Sequence, residues 1–508
     1  MTIQTDLLHS PLFDHARHDK DRIAFIHGTE QLSYHTLHIS TLAGSRWLAR
    51  SGCQIGERVA IALPKNLSAI RIIFAALAAG TIIVPIDPEA PPARIIQILA
   101  DANPRLFVTT SEIAEKLSFI APDNLPEISC INKQQDVENL FGKATSPTEP
   151  VLIDASAPAI FYYTSGTTGT PKAVVLTHAN VLSFIEWAVD KIGLHADDRF
   201  ASHAPLHFDL TTLDLFAAVR LGASTLLLDK RDTLFPARIT QLMESSGVTV
   251  WYSVPTALGL LLHYGALNKR DLSKLRLVLF AGEPIPVPML RTLMTMLPEK
   301  TFINLYGPTE TNVCTYYRVP DPMPEDLLQL PIGLPCEHLT IMLTHADSTI
   351  AAEGETGELT VIGPAVMRCY WNNQKLTDSI RYRNIQNSYR TGDFARMGAD
   401  GNLYLAGRRD DQIKIRGHRL ELLEVNAVLC NHPAVRVSAT LPTGTDPVRL
   451  IAAVELHSGQ EEIKPEALRA HCHHWLPAYA VPDEIYILQA LPLTSTGKID
   501  RRRLQSMW

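Results

Sequence analysis

Between residues 57 and 400 the chain alternates short apolar runs with helical patterns, and this rhythm constrains its fold more than any other feature. "ERVAIALPKN" reads as a strand entering a turn, and "LSAIRIIFAALAAG" as a helix stopped by Gly80. "TIIVPIDP" is a buried strand and "PPARIIQILADAN" the next helix; "RLFVTT", "GVTVWYSV" and "LRLVLFAG" continue the series. Strands and helices in alternation predict α/β layers. At 508 residues the chain exceeds one compact core, so two or more domains are expected. Around Gly401 the texture changes to the charge-dense, strand–turn–strand stretch "GNLYLAGRRDDQIKIRGHRLELLEV". This predicts a large domain over 1–409 and a small α+β domain over 410–508. Residues 134–150 read as a polar connector.

Hydrophobic residues make up 46% and charged residues 19%, and a net charge of -7 opposes general nucleic-acid binding. The longest apolar run, Ile72 to Ile86, contains Gly80 and Pro85 and is shorter than the roughly 20 residues a bilayer span needs. The N-terminus lacks the basic-then-apolar order of a secretory signal, and the seven scattered cysteines contain no CxxC pair. These features predict a cytoplasmic protein with no membrane partner.

The stretch "YTSGTTGTPKAVVLTH", Tyr163 to His178, interrupts the rhythm with glycines, hydroxyls and one lysine. Gly166 and Gly169 allow a backbone nest of N–H groups, and Ser165, Thr167, Thr168 and Thr170 add hydroxyl donors. With Lys172 at its end, such a loop suits a polyphosphate. It is not a Walker loop, because Pro171 precedes the lysine and a strand follows. A plain surface linker is the other reading of the same composition.

"YTSGTTGTPK" resembles the phosphate-binding signature of the adenylate-forming superfamily, which comprises acyl-CoA synthetases, nonribosomal peptide adenylation domains and luciferases. "NLYGPTET" (304–311), "YRTGDFAR" (389–396), "GRRDDQIKIRGHRLELLEV" (407–425) and "LTSTGKIDRR" (493–502) resemble further motifs in the family's order. The resemblance implies a large N-terminal core with a small mobile C-terminal lid. It also implies ATP and Mg²⁺ as cofactors, and a reaction in which a carboxylate attacks the α-phosphate and pyrophosphate leaves.

By that resemblance, Thr164, Ser165, Gly166, Thr167, Thr168, Gly169 and Lys172 would hold the β- and γ-phosphates. Tyr306 would stack on adenine, and Thr309 and Glu310 would contact the α-phosphate and Mg²⁺. Asp393 would accept both ribose hydroxyls, and Arg408 would reach the ribose or phosphates. Asp410 would be the hinge, and Lys498 would bridge the substrate carboxylate to ATP oxygens. On residue chemistry alone, Glu310 is a helix-start carboxylate, Asp393 part of a Gly-Asp turn and Lys498 a solvated surface charge.

"HFDLTTLDLF" (207–216) carries Asp209, which in amino-acid-activating members pairs with the substrate ammonium; a helix N-cap is its structural alternative. The family's specificity positions fall on Asp209, Leu210, Leu213, Tyr252, Leu279, Ala281, Leu305, Val313, Cys314 and Lys498. An apolar lining with one phenol and no second charge suits a compact aliphatic side chain. The set resembles that of prolyl-activating members that load a separate phosphopantetheinylated carrier protein toward a pyrrolyl unit. Alternatives are a D-alanine–carrier ligase, an acyl-CoA synthetase that Asp209 disfavours, and an RNA-binding module on "RRDDQIKIRGHR" that the net charge opposes. "HCHHW" (471–475) reads as a helix surface before a metal site.

Overall fold

The computed structural model describes all residues except 1–6, 122, 124, 143–149, 166–169, 409–411, 416, 445–447, 461 and 493–498. The α/β rhythm is realised as expected: the strands Arg58–Ala62, Ile82–Pro85, Leu106–Thr109, Val250–Ser253 and Leu277–Ala281 fall within the predicted runs. The helices Leu67–Ala78 and Pro92–Ala102 lie between them. Asn66 caps the first of these helices by accepting a hydrogen bond from the Ala69 amide.

Two large sheets, of nine and seven strands, form the frame of the N-terminal domain. Alternation along each strand assigns its residues to opposite faces. In the nine-stranded sheet Phe200, Tyr252, Leu279 and Leu305 join the largest apolar cluster, which also takes Val59 and Ile61 from the seven-stranded sheet. Their neighbours Ala201, Trp251, Val278 and Phe280 face a second cluster, closed by Leu258 and Leu290 from helices Pro255–Tyr264 and Val287–Met296. The outer face of the seven-stranded sheet, with Ala60, Val84 and Phe107, is covered by Ile95, Ile98 and Leu99 of helix Pro92–Ala102. The layers are therefore helix, sheet, shared core, sheet, helix.

A third, four-stranded sheet ends at strand Leu403–Arg408, which pairs with Ser388–Met397. Beyond it, the hairpin Gln412–Ile415 and His418–Glu421 begins a smaller body with its own core of Leu422, Val425, Leu450, Val454 and Leu468. The expected boundary at Asp410 lies outside the described residues.

The stretch expected as a polar connector is corrected in part. Gln134–Phe141 is a helix, and its Val137 and Phe141 are buried in the main core, Phe141 against Trp47. Few apolar residues in a polar sequence hid a single buried stripe. Among the described residues, no helix is long and apolar enough to cross a membrane.

The small domain lies against the C-terminal ends of the central strands. Arg94 of the large domain and Glu424 of the small one form an ion pair, with side chains 7% and 2% exposed. Gly417 turns the hairpin with φ of +81°, and its amide donates to the Glu283 carboxylate. A Cβ there would lie 2.7 Å from Val254 Cγ1, so the approach requires glycine at this point.

Candidate active site

Strand Thr301–Tyr306 and the segment after it deliver Tyr306, Thr309 and Glu310 to the edge of the interdomain cleft. The Tyr306 hydroxyl donates to Asp393 Oδ2, and Arg408 donates to Asp393 Oδ1, so three residues predicted for the nucleoside stand together. Both Asp393 oxygens are engaged in this arrangement.

Glu310 is fully buried, with Tyr370 donating its hydroxyl to Oε1 at 2.5 Å and Arg419 donating to Oε2 at 2.5 Å. Lys172 Nζ lies 4.0 Å from the same carboxylate and 3.8 Å from Glu421 Oε1. Burial pushes the Glu310 carboxyl up, but the Arg419 and Lys172 charges and the Tyr370 hydroxyl outweigh it and hold it at about 2. Glu310 is therefore an anion. An anionic carboxylate is a suitable Mg²⁺ ligand, but here Arg419 occupies the oxygen that a metal would need. Glu310 and Thr309 are the residues that would hold such a metal.

Ser165, 3% exposed, ties the phosphate-loop strand to the hairpin: its hydroxyl donates to the Arg419 carbonyl at 2.9 Å and accepts from the Glu421 amide at 3.2 Å. The Thr164 hydroxyl is buried and finds no partner among the described residues, as a group facing an absent ligand would. Gly166, Thr167, Thr168 and Gly169 lie outside the described residues, as do Asp410 and Lys498.

A cavity of about 100 Å³ opens between Thr309, Asp209 and the hairpin. Of the predicted specificity positions, Asp209, Leu210, Tyr252, Ala281 and Val313 line it. Leu213, Leu279, Leu305 and Cys314, at most 1% exposed, do not line it; they pack in the main core cluster, to which Leu210, Tyr252, Ala281 and Val313 also belong. Burial raises the Asp209 carboxyl above its usual range, a shift opposed by the Thr309 hydroxyl and the Lys414 charge. An incoming ammonium would restore the anion's balance.

Tyr162, Phe184 and Thr212 also line this cavity, and sequence reasoning did not select them. Nor did it single out Lys414, whose ammonium stands 5.8 Å from the Tyr306 ring centroid, or Arg419 on Glu310. The alternation of Ile413 and Ile415 about Lys414 carried a signal, since one face of a hairpin at a cleft must point inward. "HCHHW" forms the end of helix Pro465–Trp475, with Cys472 buried and His473 and His474 exposed.

A second cavity of about 1060 Å³ runs between the domains. It is lined by Lys65, Asp87, Glu89 and Ala90 of the large domain and by Pro477 and Ala478 of the small one. The two cavities share His207, His418 and Tyr479. The arrangement thus offers an ionic, hydroxyl-rich site, a pocket with an apolar wall around one carboxylate, and an interdomain passage beside them.

Known proteins resemble this chain over most of its length. The family described as AMP-binding enzyme matches residues 12–371, and the AMP-binding enzyme C-terminal domain matches residues 424–498. An L-proline–[L-prolyl-carrier protein] ligase of Pseudomonas fluorescens is 33% identical, over 97% of this chain and 98% of its own. A protein of the same name from Streptomyces coelicolor is 36% identical, over 95% of this chain and 93% of its own. The crystal structure of IdnL1 superposes with a TM-score of 0.80 at 28% identity, covering 96% of this chain and 99% of that one. With the family's match spanning most of the large domain and its C-terminal partner following in order, the chain belongs to the AMP-binding enzymes and is an adenylate-forming, ATP-using ligase.

Proposed function

We propose that the enzyme activates L-proline as prolyl-adenylate and passes it to the phosphopantetheine thiol of a separate carrier protein, toward a pyrrolyl unit. The observation that carries this reading is Asp209, the one carboxylate among the described residues lining this cavity, beside an apolar wall of Leu210, Tyr252, Ala281, Val313 and Phe184; Lys414 and Arg419 line its hairpin side. One carboxylate answers one ammonium, and the remaining wall suits a compact aliphatic ring while penalising a charged side chain. The two carrier-protein ligases named above support proline and a carrier acceptor.

In the first half-reaction Tyr306 and Asp393 hold the nucleoside, and Lys172 with the 164–169 loop holds the phosphates. Lys498 bridges the substrate carboxylate and the ATP oxygens. Catalysis at this stage is positioning plus electrostatic stabilisation of charge on phosphoryl oxygens. Glu310 and Thr309 would hold Mg²⁺, which supplies charge neutralisation when bound. The lid then turns about Asp410, placing Arg419 on Glu310 and the hairpin across the cleft, which is the arrangement described above. The carrier arm enters by the larger cavity.

The test is amino-acid-dependent ATP–pyrophosphate exchange with the standard amino acids, D-alanine and a medium-chain fatty acid, beside Lys498→Ala. Exchange with L-proline alone, abolished in the variant, is expected. Exchange driven by D-alanine or by the fatty acid would overturn the proline assignment. A K498A enzyme that still exchanges would remove the lysine from the mechanism.

A further inference from the structure

The thiol that accepts the acyl group must lose a proton as it attacks, since a free thiol titrates near 8.5 and only the thiolate is a good nucleophile. Resting on the acyl-transfer reading above, we propose that His418 accepts this proton. Its half-buried ring lines both cavities, at the point where an acceptor reaching through the larger one meets an acyl group held in the smaller one.

The ring is fixed from both domains. It stacks on Tyr479 of the small domain at 3.7 Å with an interplanar angle of 7°, and meets Phe208 of the large domain edge-on at 5.3 Å. Phe208 immediately precedes Asp209. The hairpin that carries His418 is also the one whose Gly417 binds Glu283 and whose Arg419 binds Glu310. The base therefore arrives with the arrangement in which transfer occurs. A base delivered this late has no part in activating water against the adenylate while the lid is elsewhere.

His207 is the rival, since it too lines both cavities. Its Nε2 lies 4.0 Å from Asp87 Oδ2, and it belongs to the large domain in either lid position. Charged and titratable groups of the large domain that line the two cavities are Asp87, Glu89, Lys65, His203, His207 and Asp209, with Glu112, Lys116, Asp229 and Lys230 also on the larger one. Tyr479, Arg419, Lys414 and His473 line them from the small domain. In the step, sulfur attacks the acyl carbon and the C–S bond forms. The bond from that carbon to the phosphate oxygen breaks, and AMP leaves with the electron pair. The thiol proton passes to the imidazole and from there to water in the larger cavity.

The experiment forms prolyl-adenylate on the whole enzyme from L-proline and ATP, then mixes it with pantetheine and follows thioester in a single turnover across pH. His418→Phe keeps an aromatic ring against Tyr479 and removes the base. Its transfer rate is expected to fall by about 10²-fold or more and to lose the wild-type inflection, with the rate simply tracking thiolate. His418→Ala is expected to regain rate with added imidazole, which a merely structural ring would not allow. Transfer by H418F within about threefold of wild type, with the same pH profile, would overturn the proposal. So would an inflection lost in His207→Asn but kept in H418F, or a loss in pyrophosphate exchange equal to the loss in transfer. Wild-type enzyme that forms adenylate but no thioester would instead refute the acyl-transfer reading, and this inference with it.

Discussion

Arg419→Met is the perturbation that most directly tests how the two domains are held for transfer. The substitution keeps an unbranched apolar stem but strips the Glu310 carboxylate, itself fully buried, of its closest charge. Removing one partner of a buried pair costs ~3–5 kcal/mol because the other is left uncompensated. The Glu310 carboxyl is held below its ordinary range although burial pushes it up, so its partners, Arg419 first, outweigh the desolvation. Lys172 at 4.0 Å and the Tyr370 hydroxyl remain, so the lower figure applies. About 3 kcal/mol disfavours this domain arrangement by roughly 10²-fold. Single-turnover transfer to pantetheine should fall by that order, and the backbone amides of the hairpin from 412 to 421 should exchange with deuterium faster. Pyrophosphate exchange should fall far less, because in the proposed cycle Arg419 meets Glu310 only at the transfer step. Transfer within about threefold of wild type, with unchanged hairpin protection, would refute the idea that this ion pair holds the lid.

Three further outcomes are expected. On the proposed pairing of Asp209 with the substrate ammonium, Asp209→Asn removes the counter-charge, so proline-dependent pyrophosphate exchange should fall by ~30-fold or more while ATP binding, read by calorimetry, persists. Arg94→Met strands Glu424, 2% exposed, and should loosen the hairpin in deuterium exchange, whereas Arg94→Met with Glu424→Met should recover much of the protection, since a buried pair replaced by apolar residues is often neutral. His9 and His178, buried with ring centroids 6.1 Å apart, are held neutral by burial at about 3 and about 4. The unfolded chain binds more protons there below 6.5, so their stability is complete above 6.5 and is lost as pH falls toward those values. Thermal melts should therefore steepen in pH dependence between 6.5 and 4, and His9→Leu should flatten that dependence.

Much of the fold was legible because its signals are local. A period of two assigns Tyr252 and Leu279 to one face and Trp251 and Val278 to the other without knowledge of any partner strand. A glycine-rich loop followed by Lys172 and a strand, or an acidic residue within "NLYGPTET", likewise carries chemistry in adjacent residues. The helix Gln134–Phe141 escaped notice because two buried side chains in a polar segment make a faint stripe.

What only the tertiary structure decided is which distant groups share one space. Nothing local couples Ser165 to Arg419 across 254 residues, Arg94 to Glu424 across 330, or Tyr306 to Asp393 across 87. Nor does it tell which of the specificity positions reach the cavity, as Asp209 and Ala281 do, and which stay behind it, as Leu279 and Leu305 do. Sequence order records which face a residue presents. The meeting of two faces depends on strand order, on crossovers and on how one domain sits against another, all of which follow from long-range packing. The sequence thus determined the layered fold and the chemical parts of an adenylate-forming enzyme. The docking of the small domain determined that Glu310 now answers Arg419, and that His418 stands where two cavities meet.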